Sequence, residues 1–308
     1  MSKSIVDNNN HGVIRNPGEF DTVLKSKYGL FNFNFREIAK YKDLVLLFVK
    51  RDFVSKYKQT VLGPAWAIIQ PLFTTVIFTL VFGSIANLTP MGDGIVIPTF
   101  VFYLIANVTW SYFSGTFTMI STTFISNSNI FGKVYFPRLV LPISNALTNL
   151  IGFAIQFAFF LCFWVYYIVA GGTTIQPQWQ IAIVPLLIAQ SGILAIGTGV
   201  IISALTTKYR DLNMLVSFGV QLWMYITPVA YSMTTLADKG ITFSRFQLIL
   251  WLNPMTPIVE TIRFAFLGPD AAVYRPDFLL ISVGVTFVFL FIGLLMFNKV
   301  EKTFMDTV

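Results

Sequence analysis

Long stretches of this chain carry no charge, and that pattern decides what it can fold into. Nothing charged lies between Lys58 and Asp93, or between Asp93 and Lys133. The run from Arg138 to Lys208 is also uncharged, as are the stretches from Asp211 to Asp238 and from Asp277 to Lys299. A membrane-spanning helix needs about 20 mostly apolar residues. The Arg138–Lys208 run is long enough for two, and it breaks at Gly171-Gly172-Thr173-Thr174-Ile175-Gln176-Pro177, a turn-forming stretch. The gaps therefore predict six spans, near residues 61–87, 98–123, 139–169, 181–206, 212–233 and 278–298. Composition points the same way. Of 308 residues, 55% are hydrophobic and 11% charged, with mean hydropathy +0.71; soluble domains carry roughly 25% charged residues. A soluble fold of this size could not bury so much apolar surface.

Basic residues orient the spans. The first 60 residues hold 11 of the 21 Lys and Arg residues. Lys133, Arg138, Lys208, Arg210, Lys299 and Lys302 fall on the same side in a six-span arrangement. The other side has Lys239, Arg245, Arg263 and Arg275, all within one long segment. The positive-inside rule then places both termini in the cytoplasm. The first 60 residues contain no apolar run of about 18 residues, so no cleavable signal peptide is expected. Residues 1–35, with Asn8-Asn9-Asn10, read as a loosely ordered cytoplasmic extension. Residues 36–60 read as a cytoplasmic interface helix, and residues 61–308 as the spanning domain. The expected fold is an all-α integral membrane protein with short re-entrant helices before the last span.

What the spans lack narrows the function. None contains Asp, Glu, Lys, Arg or His in its interior, whereas proton relays and ion-coupled transporters usually carry such groups at depth. Acids occur singly, with no Asp-x-Asp, and there is no G-x-x-x-x-G-K-[ST] phosphate loop. One His (His11) and one Cys (Cys162) exclude an intrachain disulfide and argue against a His/Cys metal site or a His-based triad. The chain is not expected to be an enzyme or to bind a cofactor or a metal of its own. Energy for uphill movement would have to come from a partner.

Several motifs recur in one known family. Arg51-Asp52-Phe53-Val54-Ser55-Lys56-Tyr57-Lys58-Gln59-Thr60-Val61-Leu62-Gly63-Pro64-Ala65-Trp66, followed by Pro71, resembles the start of the first span in type-2 ABC exporter permeases. Lys133-Val134-Tyr135-Phe136-Pro137-Arg138 resembles their loop between the second and third spans, and Lys208-Tyr209-Arg210-Asp211-Leu212 the loop between the fourth and fifth. Thr227-Pro228-Val229-Ala230-Tyr231, Leu252-Asn253-Pro254-Met255 and the tail Glu301-Lys302-Thr303-Phe304 also fit. The resemblance runs from about residue 40 to 308, and permeases exporting O-antigen polysaccharide or teichoic acid are most similar. It implies two copies of the chain forming a path, two separate ATP-binding cassette subunits holding ATP and Mg below, and a polyprenyl-pyrophosphate-linked glycan as cargo. It also implies the bacterial inner membrane as location, with membrane lipid but no nucleic acid as a partner. Teichoic acid, a smaller lipid or a drug are alternative cargoes, and a membrane-embedded glycan-processing enzyme is the competing class.

Candidate site residues follow. Glu37–Lys58, with Leu44–Val49 continuously apolar, would contact the ATPase or anchor at the membrane surface. The loop Ser126–Arg138 would carry ATPase movement to two spans, through Asn129, Ile130, Phe131, Lys133, Phe136 and Arg138. Lys208, Tyr209, Arg210 and Asp211 would add a second contact. Arg51, Lys56 and Lys58, with Arg138 and Arg210, could attract a pyrophosphate, or could reflect only the positive-inside bias. Tyr103, Trp110, Phe117 and Phe124 recur every seven residues with Phe113 beside them, one stripe on a helix. That stripe would face a glycan path, or lipid, or a neighbouring helix; Trp223 and Tyr225 invite the same comparison. Glu260 and Arg263 are placed to pair at i,i+3.

Overall fold

A computed structural model of the chain describes residues 39–58, 60–86, 88, 96–127, 130, 136–209, 211–238 and 245–305. All of them belong to the unit spanning residues 34–308; the expected extension 1–35 lies outside the described residues. Among the described residues the regular structure is entirely helical.

The first helix, α1 (Lys42–Tyr57), is the expected interface segment. It buries Val45, Phe48 and Val49 and leaves Leu46, Leu47 and Val54 exposed. The sequence is apolar on both faces there, which is why no clean amphipathic stripe could be read. α2 (Trp66–Phe78) starts from a 3₁₀ turn, Gly63–Ala65, whose Pro64 fits a helix start because its missing N–H would be unbonded anyway. It continues as a π-helical stretch, Thr79–Ile85. α3 is Thr99–Ser121, followed by the single turn α4, Thr123–Ser126. α5 (Val140–Ala170) ends at Gly171, whose φ of 73° only glycine adopts easily. α6 (Val184–Lys208) follows a 3₁₀ turn, Trp179–Ile183. α7 is Leu212–Ile226; three short helices come next, α8 (Met233–Asp238), α9 (Arg245–Leu252) and α10 (Met255–Leu267). α11 (Pro276–Met305) closes the chain.

Among the described residues, four segments are long and apolar enough to cross a membrane: Gly63–Ile85, Val140–Ala170, Trp179–Thr207 and Pro276–Asn298. They coincide with four of the six expected spans. The other two differ for separate reasons. α3 has 23 residues, long enough, but Thr, Ser, Asn and Gly dilute its hydropathy. It is the central helix, packed against α2, α5, α6, α7 and α10, so protein rather than lipid surrounds it. α7 is apolar but only 15 residues long, because Thr227-Pro228 follows its last turn.

The main core surrounds α3, with Phe102, Leu104, Phe113, Leu194, Ile258 and Ile262 fully buried. A second cluster fastens α1 to the bundle through Phe48, Phe124, Phe136, Val140 and Phe297. α6 and α11 approach backbone to backbone. A Cβ on Gly197 would meet Leu290 N at 2.7 Å, and one on Gly293 would meet the Gly197 carbonyl at 2.5 Å.

Candidate functional site

The site lies where polar stripes on four helices converge. On α5, Asn145, Asn149, Gly152 and Gln156 follow helical spacing and share one face. On α3, Ser111, Ser114, Gly115 and Thr118 do the same, and on α2 so do Gln70, Pro71 and Thr74. α1 brings Lys56 and Tyr57. Between these helices lies a cavity of about 380 Å³. A second one, of about 620 Å³, shares Lys56, Ser114, Gly115 and Asn149 with it and extends to Asp52, Thr122 and Val220. Side-chain amides tie α5 to its neighbours. Asn149 Nδ2 donates to Met119 Sδ on α3 at 3.5 Å, and Asn145 Nδ2 to Thr123 Oγ1 on α4 at 3.1 Å.

Polarity continues beyond the cavity along the α2–α3 contact. Asn107 Nδ2 donates to Thr75 Oγ1 at 3.1 Å, fully inside the protein. The antiparallel register that this bond and the Gly83–Thr99 contact define sets Thr79 against Tyr103. Thr79 Oγ1, Tyr103 OH and Asn107 Oδ1 are all buried without a hydrogen-bond partner among the described residues. This seam is far less satisfied than a packed helix interface usually is.

A buried ion pair lies among the short helices. Arg263 and Glu260, both 0% exposed, meet at 2.9 Å on α10. Arg263 also donates to the Pro228, Val229 and Tyr231 carbonyls, and its guanidinium lies 4.3 Å from the centre of the Phe102 ring. Glu260 accepts from the N–H groups of Met233 and Val273. Burial pushes the Glu260 carboxyl up, while Arg263 and those two N–H groups pull it down. The pair therefore joins the end of α7, the start of α8, α10, the loop after it and α3. Sequence spacing indicates the pairing; its burial and its backbone ligands come from the fold.

The other expected site residues fall out differently. Of the three phosphate candidates, Lys56 lines both cavities. Arg51 is paired with Asp52 at 2.7 Å and lies over Phe48, and Lys58 is exposed just past the end of α1. Asn129, Phe131, Lys133 and Arg210 lie outside the described residues, as does the Lys208 side chain. Ile130 packs against the α1 cluster. Phe136 and Arg138 are only 5% exposed. Phe136 sits against Phe48 at 5.7 Å, so it fastens the loop to α1 rather than presenting a ring to a docking partner. Tyr209 and Asp211 are exposed at the α6–α7 turn.

The aromatic stripe is packing within the chain. Tyr103, Trp110, Phe113, Phe117 and Phe124 are at most 6% exposed. Trp110, Phe113 and Phe117 surround Trp223, with ring centroids 6.5, 4.9 and 6.0 Å away. Phe124 packs at a tilt against Phe297, and Tyr103 meets Phe78 edge to face. A face that is apolar at helical spacing on a central helix is consumed by its neighbours, and the polar face of the same helix lines the cavity. Sequence reading missed Gln70, Asn149, Gly152 and Gln156. The usable signal was a polar stripe at i, i+4, i+7, i+11 inside a span without charges, beginning at Asn145.

Among the described residues, four segments long and apolar enough to cross a membrane, beside a polar and nearly uncharged groove, fit a multi-pass membrane protein. The profile described as "ABC-2 type transporter" matches residues 43–267, and the chain belongs to that family. It is 27% identical over 265 residues to the O-antigen export system permease protein RfbA of Klebsiella pneumoniae, covering 86% of this chain and 94% of that protein. It is also 27% identical over 241 residues to the Myxococcus xanthus protein of the same name, covering 77% and 86%.

Proposed function

We propose that the chain is the permease subunit of an ATP-driven exporter carrying a lipid-linked, O-antigen-like polysaccharide across the bacterial inner membrane. The observation that carries this reading is the family match across residues 43–267, joined to relatives named as O-antigen export permeases that align over most of the chain. Hydrolysis takes place on two separate ATP-binding cassette subunits, which hold ATP and Mg. In this reading α3 and α7 cross the membrane with the four longer segments, giving six spans with both termini cytoplasmic, in keeping with the distribution of Lys and Arg. The short helices α8–α10 dip in from the outer face as re-entrant elements, a geometry tolerated where protein surrounds it. Two copies pair about a twofold axis, the commonest closed symmetry. α1 and the Ser126–Arg138 loop meet the ATPase, and the α1 cluster built on Phe48, Phe124 and Phe136 passes its displacement to α3, α5 and α11.

The test is reconstitution of the chain with the ATPase encoded beside it. Co-purification, ATP hydrolysis stimulated by a lipid-linked glycan and ATP-dependent movement of that glycan across a proteoliposome membrane are expected. Glycan turnover by the chain alone would overturn the reading in favour of an enzyme.

A further inference from the structure

The groove lining is chemically uneven. Lys56 is the one basic side chain among the described residues that line it. Asp52, the one acidic side chain there, is paired through Oδ1 with Arg51 at 2.7 Å, and its Oδ2 is buried without a hydrogen-bond partner among the described residues. The rest of the polar lining is uncharged: Gln70, Ser111, Asn149 and Gln156 supply amide and hydroxyl groups that both donate and accept. Gln156 Oε1 is buried without a hydrogen-bond partner among the described residues, and an unmet buried acceptor is costly unless something donates to it. Room is left for such a donor. A Cβ on Gly152 would meet nothing within 4 Å. The cavity of about 380 Å³ falls within the range of small-molecule sites, roughly 300–1,000 Å³. It lies between α2 and α5, both parts of segments long and apolar enough to cross a membrane.

One cation beside a neutral donor–acceptor lining matches a ligand with one anionic group joined to an uncharged polyol. Flanking apolar helices match a ligand with an apolar tail. We propose that this groove holds the head of a membrane amphiphile, with its phosphate on Lys56 and its hydroxyl-bearing group among Gln70, Ser111, Asn149 and Gln156. The head of a glycan on a polyprenyl diphosphate carrier has this chemistry, and to that extent the inference rests on the exporter reading. A phospholipid with a glycerol head has it too.

The test uses the full chain with its ATPase in phosphatidylcholine nanodiscs, titrated and read by native mass spectrometry. The probes are a polyprenyl diphosphate bearing one hexose, a polyprenyl monophosphate and phosphatidylglycerol. Gly152→Phe fills the groove where the protein has no atoms, so it should lower occupancy by the hexose-bearing probe at least tenfold while the thermal midpoint holds. Lys56→Gln should weaken all phosphate probes. Gln156→Leu, which removes an acceptor that no described residue uses, should weaken only the probes with hydroxyl-bearing heads, and it serves if Gly152→Phe fails to fold. Sensitivity of the hexose-bearing probe identifies the carrier as occupant; sensitivity of phosphatidylglycerol alone identifies a structural lipid. Binding of every probe within twofold of wild type in both Gly152→Phe and Gln156→Leu overturns the proposal. Wild-type export is measured in parallel: its absence would sink the exporter reading, whereas normal export with unchanged probe binding in the variants would sink the groove alone.

Discussion

Replacing Glu260 by Ala leaves the Arg263 guanidinium, 0% exposed, buried without its counter-charge. Removing one partner of a buried ion pair costs about 3–5 kcal/mol, because the remaining charge stays desolvated. Two effects move the value within that range. Arg263 keeps the Pro228, Val229 and Tyr231 carbonyls and the Phe102 face, which favours the lower end. The Met233 and Val273 N–H groups lose their acceptor, each unmet donor costing about 1–3 kcal/mol, which returns it to the upper end. Glu260→Ala should therefore cost about 4 kcal/mol. The double replacement Glu260→Gln with Arg263→Met removes both charges while keeping volume. It should cost much less than the sum of the single changes, since paired buried charges give little net stability over apolar substitutes. Denaturant unfolding in detergent followed by tryptophan fluorescence measures Glu260→Ala, and also wild type, Glu260→Gln, Arg263→Met and the double replacement as the four corners of the cycle. Hydrogen exchange should show the Met233 and Val273 amides losing protection first in Glu260→Ala. Single changes costing under about 1 kcal/mol, with a double change equal to their sum, would refute an anchoring pair.

Two glycines should respond in opposite senses. Gly197→Leu drives a side chain into the α11 backbone at Leu290, 2.7 Å from its Cβ, and should cost at least about 1–3 kcal/mol, seen as loss of monodisperse protein on size exclusion. Gly152→Ala meets nothing within 4 Å and should gain roughly 0.5–1 kcal/mol from helix propensity, read by the same unfolding assay. Phe136→Asp puts a carboxylate among Phe48, Val140 and Phe297 and should cost more than about 3 kcal/mol, so folded yield should fall along with ATPase coupling; normal yield with lost coupling would show that the ring is not packed. Trp110→Leu removes a ring from the Trp223 cluster and should cost about 1–3 kcal/mol, less than full truncation, with yield and export falling in parallel; slowed export at unchanged yield would return the stripe to the transport path.

Charge and its absence made much of this architecture legible. Three uncharged gaps, one of them long enough for two spans, predict segments that the fold reproduces at 63–85, 140–170, 179–207 and 276–298, because lipid tolerates no ambiguity about a span's length or polarity. The pairing of Glu260 with Arg263 is legible for a similar reason, since i,i+3 spacing on a helix leaves few alternatives. The orientation of α3 was not legible. Its seven-residue aromatic repeat and its polar stripe at Ser111, Ser114 and Thr118 are both regular, and periodicity says that two faces exist without saying what each meets. The answer depends on Trp223, more than 100 residues later, filling the space beside Trp110, Phe113 and Phe117.

Placing a polar helix at the centre of the bundle has a physical consequence for movement. Lipid-facing helices gain little from associating through apolar contact alone, because tails solvate them equally well; hydrogen bonds and close backbone approach fix them instead. α6 and α11 use both, with their backbones close at Gly197 and Gly293 and Gln190 Nε2 donating to Ser282 Oγ at 2.9 Å. α2 against α3 follows neither fully. It has one buried side-chain bond, Asn107 to Thr75, then Thr79 and Tyr103 facing each other unbonded, next to a π-helical stretch that interrupts regular bonding. Opening that contact breaks one side-chain hydrogen bond and exposes oxygens that water or a hydroxyl-bearing ligand can satisfy, whereas opening α6 against α11 breaks the Gln190–Ser282 bond and forfeits close backbone packing as well. If the bundle yields when a partner pulls on α1, α2 separates from α3 more readily than α6 from α11, along a seam that runs from the Thr75–Asn107 bond to the Gly83–Thr99 contact.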